Sequence, residues 1–419
     1  MTTYPIDNVL PILIETVRQH PSAVLHAPPG AGKTTRVPLA LLDVIPPEKG
    51  RIIMLEPRRI AAVSAARWMA KSLGEPVGET VGYAIRFDTK RSAKTRIEVV
   101  TEGVLTRRIQ SDPGIDGVAM VIFDEFHERS IHADLALAHC LDVRKGLRED
   151  LKILVMSATL DYGPIASLLG DAPVIGSIGK AFPVEERYLA DSAGPLPARM
   201  AGAVRTALRE TGGDILAFLP GTREIRSCIR ELNGSLQGNE DRITLHALYG
   251  DLPFEEQERA IMPSRERRKV VLATNIAETS LTIEGVHVVI DSGLTRVLRY
   301  DPATGMNRLM TVPVSKASAE QRKGRAGRLG PGVCYRLYGK HELHSMTSFI
   351  QPEILSSDLA QLVLELAVWG VKDPRTLAWL DAPPSAAWNA GLRLLQDLGA
   401  LDASGSATSA GRAMARLPL

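Results

Sequence analysis

Residues 27-APPGAGKTT-35 follow the short apolar run Ala23-Val24-Leu25-His26 and lead into a stretch of helical patterning. In that setting Gly30 and Gly32 let the backbone wrap tightly, so that its N–H groups converge on a phosphate at a helix N-terminus. Lys33 is spaced to reach the outer phosphates of a nucleoside triphosphate, and the Thr34 hydroxyl to ligate magnesium. Ala27, Pro28, Pro29, Ala31 and Thr35 complete the candidate nucleotide loop, with Ala27 standing where the strict pattern has its first glycine. A plain Gly-rich turn also fits this segment taken alone, so its reading depends on what surrounds it.

What surrounds it is a regular alternation of short apolar runs with longer helical patterns. Runs at 51–55, 97–100, 119–123 and 153–156 are rich in β-branched residues and bounded by polar or turn residues. That rhythm predicts a parallel sheet covered on both faces. A second series at 215–219, 243–246, 270–273 and 286–290 repeats it, which predicts two consecutive α/β lobes dividing near Lys180 to Pro183. Residues 296–311 read as a β-hairpin around Asp301 to Gly305. After about Phe349, Leu359, Leu362, Val363 and Leu366 recur at helical spacing and a second helix is expected over 387–398, with a small strand-and-turn wing at 399–411. The expected organisation is therefore 1–180, 181–345 and a winged-helix-like module at 346–419.

Three further segments bear on chemistry. In 124-DEFH-127 two adjacent carboxylates end a buried strand, which is unfavourable unless something uses them. Asp124 suits a magnesium contact made through water and Glu125 suits orienting or deprotonating the attacking water, both counted with Thr34 as the metal site; a solvated run of charges is the plain alternative. The 157-SAT-159 turn is by itself no more than a helix cap. In 321-QRKGRAGR-328, Arg325 and Arg328 are three apart, as on one helical face, and could neutralise charge on a transferring phosphoryl group. Gln321 is one turn back and could position the water; the plain alternative is a basic surface patch. The four segments occur in the order that a nucleotide site split across two lobes requires, and chance does not readily produce that order.

Composition bounds the class. With 419 residues, 45% of them hydrophobic, the chain is too large for one core. Cys140, Cys228 and Cys334 stand far apart, against a disulfide framework or zinc site and in favour of a reducing cytoplasm. The N-terminal stretch has no basic segment followed by an apolar run, and no stretch approaches the ~18 apolar residues of a membrane span. The formal net charge of +2 means that a nucleic-acid partner needs positive charge concentrated in a groove.

At this point the chain resembles the DEAH/RHA group of superfamily-two helicases. The resemblance extends to 56-EPRR-59, 101-TEG-103, 274-TNIAETSLTI-283 and the FLPG stretch of Phe218 to Gly221, and covers nearly the whole chain in family order. Phe126 within DEFHERS resembles the bacterial HrpB branch of that group. The resemblance implies two RecA-like lobes with ATP and Mg2+ between them, then a winged helix. Gly30, Gly32, Lys33, Thr34 and Thr35 would hold phosphates; Asp124 and Glu125 would hold magnesium and water. Gln321, Arg325 and Arg328 would close from the second lobe, and Ser280 and Thr282 would relay between sites. The family sandwiches the base between a first-lobe arginine, matched by Arg67, and a second-lobe aromatic, whose matching position here is Ile261. The sequence shows no upstream adenine-reading glutamine motif, and weak discrimination among nucleoside triphosphates is expected.

Arg58, Arg59, Arg86, Thr101 and Thr274 are the implied contacts to a single-stranded nucleic-acid backbone, RNA in this family. The 5% aromatic content fits a grip indifferent to sequence. Hydrolysis of ATP to ADP and phosphate would drive movement along RNA or its unwinding, in a cytoplasmic monomer, with the hairpin as a strand-separating wedge. An ATP-dependent clamp that remodels ribonucleoprotein, with or without protein partners, fits the same residues, as does a DNA helicase. Relatives continue into a helical bundle and an oligonucleotide-binding fold, so the resemblance also implies domains beyond Leu419.

Overall fold

The structure is a computed structural model that describes residues 4–158, 162–177, 179, 182–189, 194–235, 242–264, 266–279, 283–301 and 304–417. Its first sheet contains β1 (Ser22–His26), β2 (Arg51–Glu56), β3 (Val81–Ile85), β4 (Asp88–Lys90), β5 (Ile97–Thr101), β6 (Val118–Phe123), β7 (Lys152–Ser157) and β8 (Val174–Gly176). They lie in the order β4-β3-β5-β2-β6-β7-β1-β8, parallel except for β4. All six residues of β6 are buried, as an apolar run covered by helices on both faces must be.

The second sheet contains β9 (Val184–Tyr188), β10 (Asp214–Phe218), β11 (Ile243–Leu248), β12 (Arg268–Ala273) and β13 (Val286–Asp291). The strands β14 (Leu294–Asp301) and β15 (Met306–Pro313) form a separate antiparallel hairpin, and β16 (Gly332–Arg336) returns to the sheet. The order is β11-β12-β10-β13-β16-β9, all parallel.

Every predicted run became a strand. The short β4 and β8, three residues each, and the β3, β9 and β16 strands were not foreseen.

The third piece is helical: Ala360–Trp369, Ser385–Asp397 and Ser409–Ala415, with one isolated bridge, Leu401 to Ala407, in place of a developed wing. Its core of Leu362, Leu366, Trp388 and Leu395 includes Leu135 and Ala138 from the first-lobe helix Ile131–Gly146. Arg129 adds a polar strap, bonding Asp134 at 3.1 Å and Asp381 at 2.7 Å. Its carbonyl also accepts from the Glu353 N–H. The segment just past DEFH is thereby tied to the third module.

Strand order in the first sheet sorts the motifs. The loops after β1, β7 and β6, three adjacent strands, carry the phosphate loop, SAT and DEFH. Those after β2, β5 and β3, on the other side of β6, carry Arg58, Arg59, Thr101 and Arg86. All emerge at the carboxyl ends of the strands, where open α/β sheets place their ligand sites.

Candidate active site

The helix Lys33–Ala40 begins at Gly32, whose φ of +91° is left-handed. A side chain there would also press the Tyr4 ring, whose atoms would lie 3.0 Å from an added Cβ. Ala27 departs from the pattern without penalty. Its φ is not positive, and its methyl is buried in the core beside Leu25 and Ala31. Its N–H donates to the Ser157 carbonyl at 3.0 Å, which fixes the loop to the end of β7.

Opposite the loop, the Lys33 Nζ lies 2.8 Å from Glu125 Oε1 and 3.9 Å from Asp124 Oδ1, all three groups buried. The Thr34 hydroxyl donates to Asp124 Oδ2 at 2.5 Å, and the Glu125 N–H donates to Asp124 Oδ1 at 2.8 Å. Glu125 adopts φ +50°, ψ +33°, a left-handed conformation that costs a non-glycine residue about 1–3 kcal/mol and is retained where surrounding contacts over-determine it. Burial alone would raise its pKa, but Lys33, then His127 and Arg325, reverse the sign and hold it at about 2. Asp124 is raised by burial, against the pull of Lys33. Burial likewise opposes the charge on Lys33, yet Glu125 and Asp124 hold its pKa above the ordinary value.

A third carboxyl, Glu56 at the end of β2, is fully buried beside them. Its pKa is pushed well up by burial and by Asp124 and Glu125. Among the described residues neither Glu56 oxygen nor Glu125 Oε2 has a hydrogen-bond partner. Among the described residues no three such side chains close around a metal position; the Thr34 hydroxyl beside Asp124 suits a cation held by few protein ligands, as magnesium is when a triphosphate supplies the rest.

From the second lobe comes the 321–328 segment, in which Arg325 and Arg328 lie just past the end of the helix expected to carry them. The helix Lys316–Gly324 stops before Arg325, and the chain turns through Gly324 and Gly327. The segment divides its basic residues between the lobe interior and the side that faces Glu125. Arg322 points inward, fully buried, bonded to Asp291 at 2.8 Å and Glu278 at 3.1 Å and stacked on Phe218. Arg325 donates to the carbonyls of Glu278 and Thr279. Arg328 lies against the phosphate loop, its Nε 3.4 Å from where a Gly30 Cβ would be. Burial lowers the pKa of both arginines, for Arg325 reinforced by its neighbour Arg328 and for Arg328 to about 10. Two guanidiniums so disfavoured form a site that an anion would stabilise. Gln321 meets His127 at 3.0 Å, and His127 Nδ1 is 3.4 Å from Glu125 Oε2 and from the Ala158 N–H.

Three family models match this chain. DEAD/DEAH box helicase covers residues 9–167, helicase conserved C-terminal domain 200–330, and helicase associated domain (HA2), winged-helix, 391–419. The ATP-dependent RNA helicase HrpB of Escherichia coli (strain K12) is 51% identical over 409 residues, 96% of this chain and 49% of that protein. The crystal structure of Escherichia coli DEAH/RHA helicase HrpB has a TM-score of 0.92 at 48% identity, covering 98% of this chain and 52% of that one. The chain belongs to the DEAH/RHA helicases. The ATP-dependent RNA helicase HrpA of Borreliella burgdorferi is 35% identical over 420 residues, 99% of this chain and 51% of that protein. The chain thus spans about half the length of the curated relatives it matches.

As in that family, the two parallel sheets are RecA-like lobes and a winged-helix region follows. Of the candidate nucleic-acid contacts, Arg59 and Arg86 are exposed and Thr101 and Thr274 half-buried. Arg86 stacks on the exposed Phe87, 4.9 Å from the ring centroid. Arg58 differs: it bonds Glu128 at 2.9 Å, and Glu128 also accepts from the Thr279 hydroxyl of the second lobe. Ser280 and Thr282 lie outside the described residues.

Arg67 does meet an aromatic from the second lobe, but at another position. Its guanidinium lies 5.2 Å from the Phe254 ring centroid and bonds Glu258 at 2.5 Å, while Ile261 is one helical turn past Glu258. Phe254, His127, Glu128, Glu278 and Glu56 all escaped the sequence reading. All but Phe254 lay inside stretches quoted as motifs, without a role.

Proposed function

We propose that the chain is the motor of an ATP-dependent RNA helicase or translocase, built from lobes at 1–180 and 181–345 and a winged-helix module at 346–419. In this reading it works as a cytoplasmic monomer on single-stranded RNA. The observation that carries it is one cluster of buried charges supplied from both lobes, with the Lys33–Glu125 ion pair from the first and Arg328, beside Gly30, from the second. Magnesium would be held by the Thr34 hydroxyl and Asp124, with Glu125 contacting it through water, and would neutralise charge on the outer phosphates.

The residues then divide the work. Lys33 leaves Glu125 for the β- and γ-phosphates of ATP, since a phosphate offers it more charge than one carboxylate. Glu125, released, accepts the proton of the attacking water. The water oxygen bonds the γ-phosphorus while the bond to the β–γ bridging oxygen breaks, giving ADP and phosphate. Arg325 and Arg328 neutralise the equatorial oxygens, and Gln321 reaches the water through or beside His127. The base rests between Arg67 and Phe254, and Arg59, Arg86, Thr101 and Thr274 grip the backbone, joined by Arg58 once Glu128 releases it. Closing and reopening of the lobes around ATP would step the strand.

The test is ATP turnover with and without single-stranded RNA, set beside single-stranded DNA. Stimulation by RNA well above that by DNA is expected. Equal stimulation by the two would remove the RNA assignment, and no stimulation by either would remove the motor reading. A duplex-displacement assay separates a motor from a clamp.

A further inference from the structure

The second lobe has a basic groove that the pocket and the strand grip leave unused. The helix Thr222–Ser235 starts where β10 ends and carries Arg223, Arg226 and Arg230 on its exposed side. Spacings of three and four residues put them on one stripe. With Arg296, which reaches over from β14, they line a cavity of about 880 Å³. A second cavity of about 770 Å³ shares Ser227 and Arg230 with the first and adds Arg205. Together they follow the helix, whose 14 residues span about 21 Å.

Five arginines face two glutamates along this groove. Glu224 is bonded to Arg296 at 3.1 Å, and Glu231 lines the second cavity. The local excess of positive charge is larger than the formal net charge of the whole chain, +2. A merely solvated helical face balances its charges by placing opposite signs four residues apart. Here Arg226 and Arg230 are four apart with the same sign, and Arg223 is followed at that spacing by Ser227. Such repulsion is relieved by an anion that spans the row.

The side chains are also ordered. Arg226 donates to the Tyr249 hydroxyl at 3.1 Å, Arg230 to Ser227 at 3.1 Å and Arg205 to Ser235 at 3.2 Å. Guanidinium forks held in place suit phosphate oxygens, and a groove of this length suits a polymer over a single ion.

The groove also starts at the right place. The Arg296 guanidinium crosses Gly221, where an added Cβ would lie 2.4 Å from its Nη1. Gly221 follows β10 at the same carboxyl edge from which Thr274 follows β12. We propose that this groove binds a phosphodiester backbone, as a segment of nucleic acid flanking the strand held between the lobes, without reading its bases. The inference rests on the nucleic-acid reading of the function given above.

The test uses fluorescence anisotropy with two single-stranded RNAs, one of about 8 nucleotides to fill the interlobe track alone and one of about 20. The variant is Arg223→Gln with Arg230→Gln, which leaves the Arg226–Tyr249 and Arg296–Glu224 contacts intact; an unshifted thermal melt checks its fold. The expected result is about ten-fold weaker binding of the longer RNA, with the short one bound as before. The slope of log K against log salt for the longer RNA should fall by about 1.4, two contacts at about 0.7 each. An unchanged slope and affinity for the longer RNA would overturn the groove while leaving the motor intact. A native chain that neither binds RNA nor is stimulated by it overturns the functional reading and the groove together. If polyglutamate displaces the longer RNA from the native chain as well as unlabelled RNA does at equal charge, the groove is an acidic-protein site and the nucleic-acid assignment is wrong.

Discussion

The nucleotide pocket and the candidate strand grip stand on the same edge of the same sheets, yet they are built in opposite ways. In the pocket Lys33, Asp124 and Glu125 are buried and locked to one another, and the buried Arg325 is held by the Glu278 and Thr279 carbonyls. At the grip, Arg59 and Arg86 are exposed at strand ends. Buried charges need partners before a ligand arrives, because an unpaired one costs several kcal/mol. Exposed charges are solvated and need none. The pocket therefore keeps its geometry through internal ion pairs that a ligand must exchange, whereas at the grip Arg58, bonded to Glu128, must give up an ion pair, and Arg59 and Arg86 meet the ligand from the surface. Substitutions in the pocket should act on rate by orders of magnitude, and those at the grip on affinity by small factors.

The strongest way to break this contrast is Glu125→Gln. Loss of the proton acceptor is expected to lower kcat about 10³-fold while ATP still binds within a few-fold of native, checked by phosphate release and by fluorescent-nucleotide titration. Normal turnover would place the water-activating group elsewhere. Arg328→Ala comes next, with about a 10²-fold loss of turnover, since it removes one donor to the developing charge. A loss of only a few-fold would mean that Arg328 packs against Gly30 without acting on phosphate.

His139 probes burial in the absence of a partner. Neither ring nitrogen has a hydrogen-bond partner among the described residues, and the ring stacks on Trp369 at 4.5 Å across the boundary with the third module. Burial lowers its pKa from 6.5 to about 4. The folded state thus binds fewer protons than the unfolded one in that range. The stability is present above pH 6.5 and is lost as pH falls towards 4, by up to about 3 kcal/mol. Asp134 on the same helix, raised to about 6 mainly by burial, works in the opposite sense. The difference between native and His139→Phe melting curves isolates the histidine, with the variant expected to lose less on acidification.

How far the sequence could be read follows the same division. Lys33, Thr34, Asp124 and Glu125 were legible because their chemistry depends on local spacing at the end of a strand. Two α/β lobes were legible because buried parallel strands recur as short, wholly apolar runs between helical stretches, and the family resemblance made them RecA-like, whereas β4 and β8 are too short to show a pattern. Partners that meet only through the fold left no local mark. Gln321 and His127 are 194 residues apart, and Thr279 and Glu128 151. Arg325 and Arg328 were read as part of a helix because helical periodicity was extended past Gly324, where the helix ends and tighter turns follow, yet both still come near Glu125. Phe254 was missed because alignment by motif pointed to Ile261, while the stacking partner of Arg67 is decided by which end of the helix Phe254–Ile261 faces the first lobe.

At the grip, Arg86→Ala is the sharper test of exposed charge. One phosphate contact is worth about 0.7 in the slope of log K against log salt for a single strand. The RNA concentration for half-maximal ATPase stimulation should rise about 3- to 5-fold at moderate salt, and the difference should shrink as salt is raised. A loss that is large and independent of salt would make Arg86 part of the buried architecture.

The smallest effect is expected where the two regimes meet, at Phe254. Its ring and the Arg67 guanidinium, from opposite lobes, are half-exposed and already in contact at 5.2 Å. A base entering between them must separate the pair and then stack on each face, so the gain is the difference between two stacking energies. An exposed cation–π contact is worth about 0.5–1 kcal/mol, and a base replaces it with contacts of similar size. Phe254→Ala should therefore raise KM only about 2- to 5-fold and leave kcat near native. Because every base offers a π-face, the increase should be the same for ATP, GTP and CTP. A rise confined to ATP would mean that the slot reads the adenine edge through a polar group such as Glu258, and would make this pocket as selective as it is catalytic.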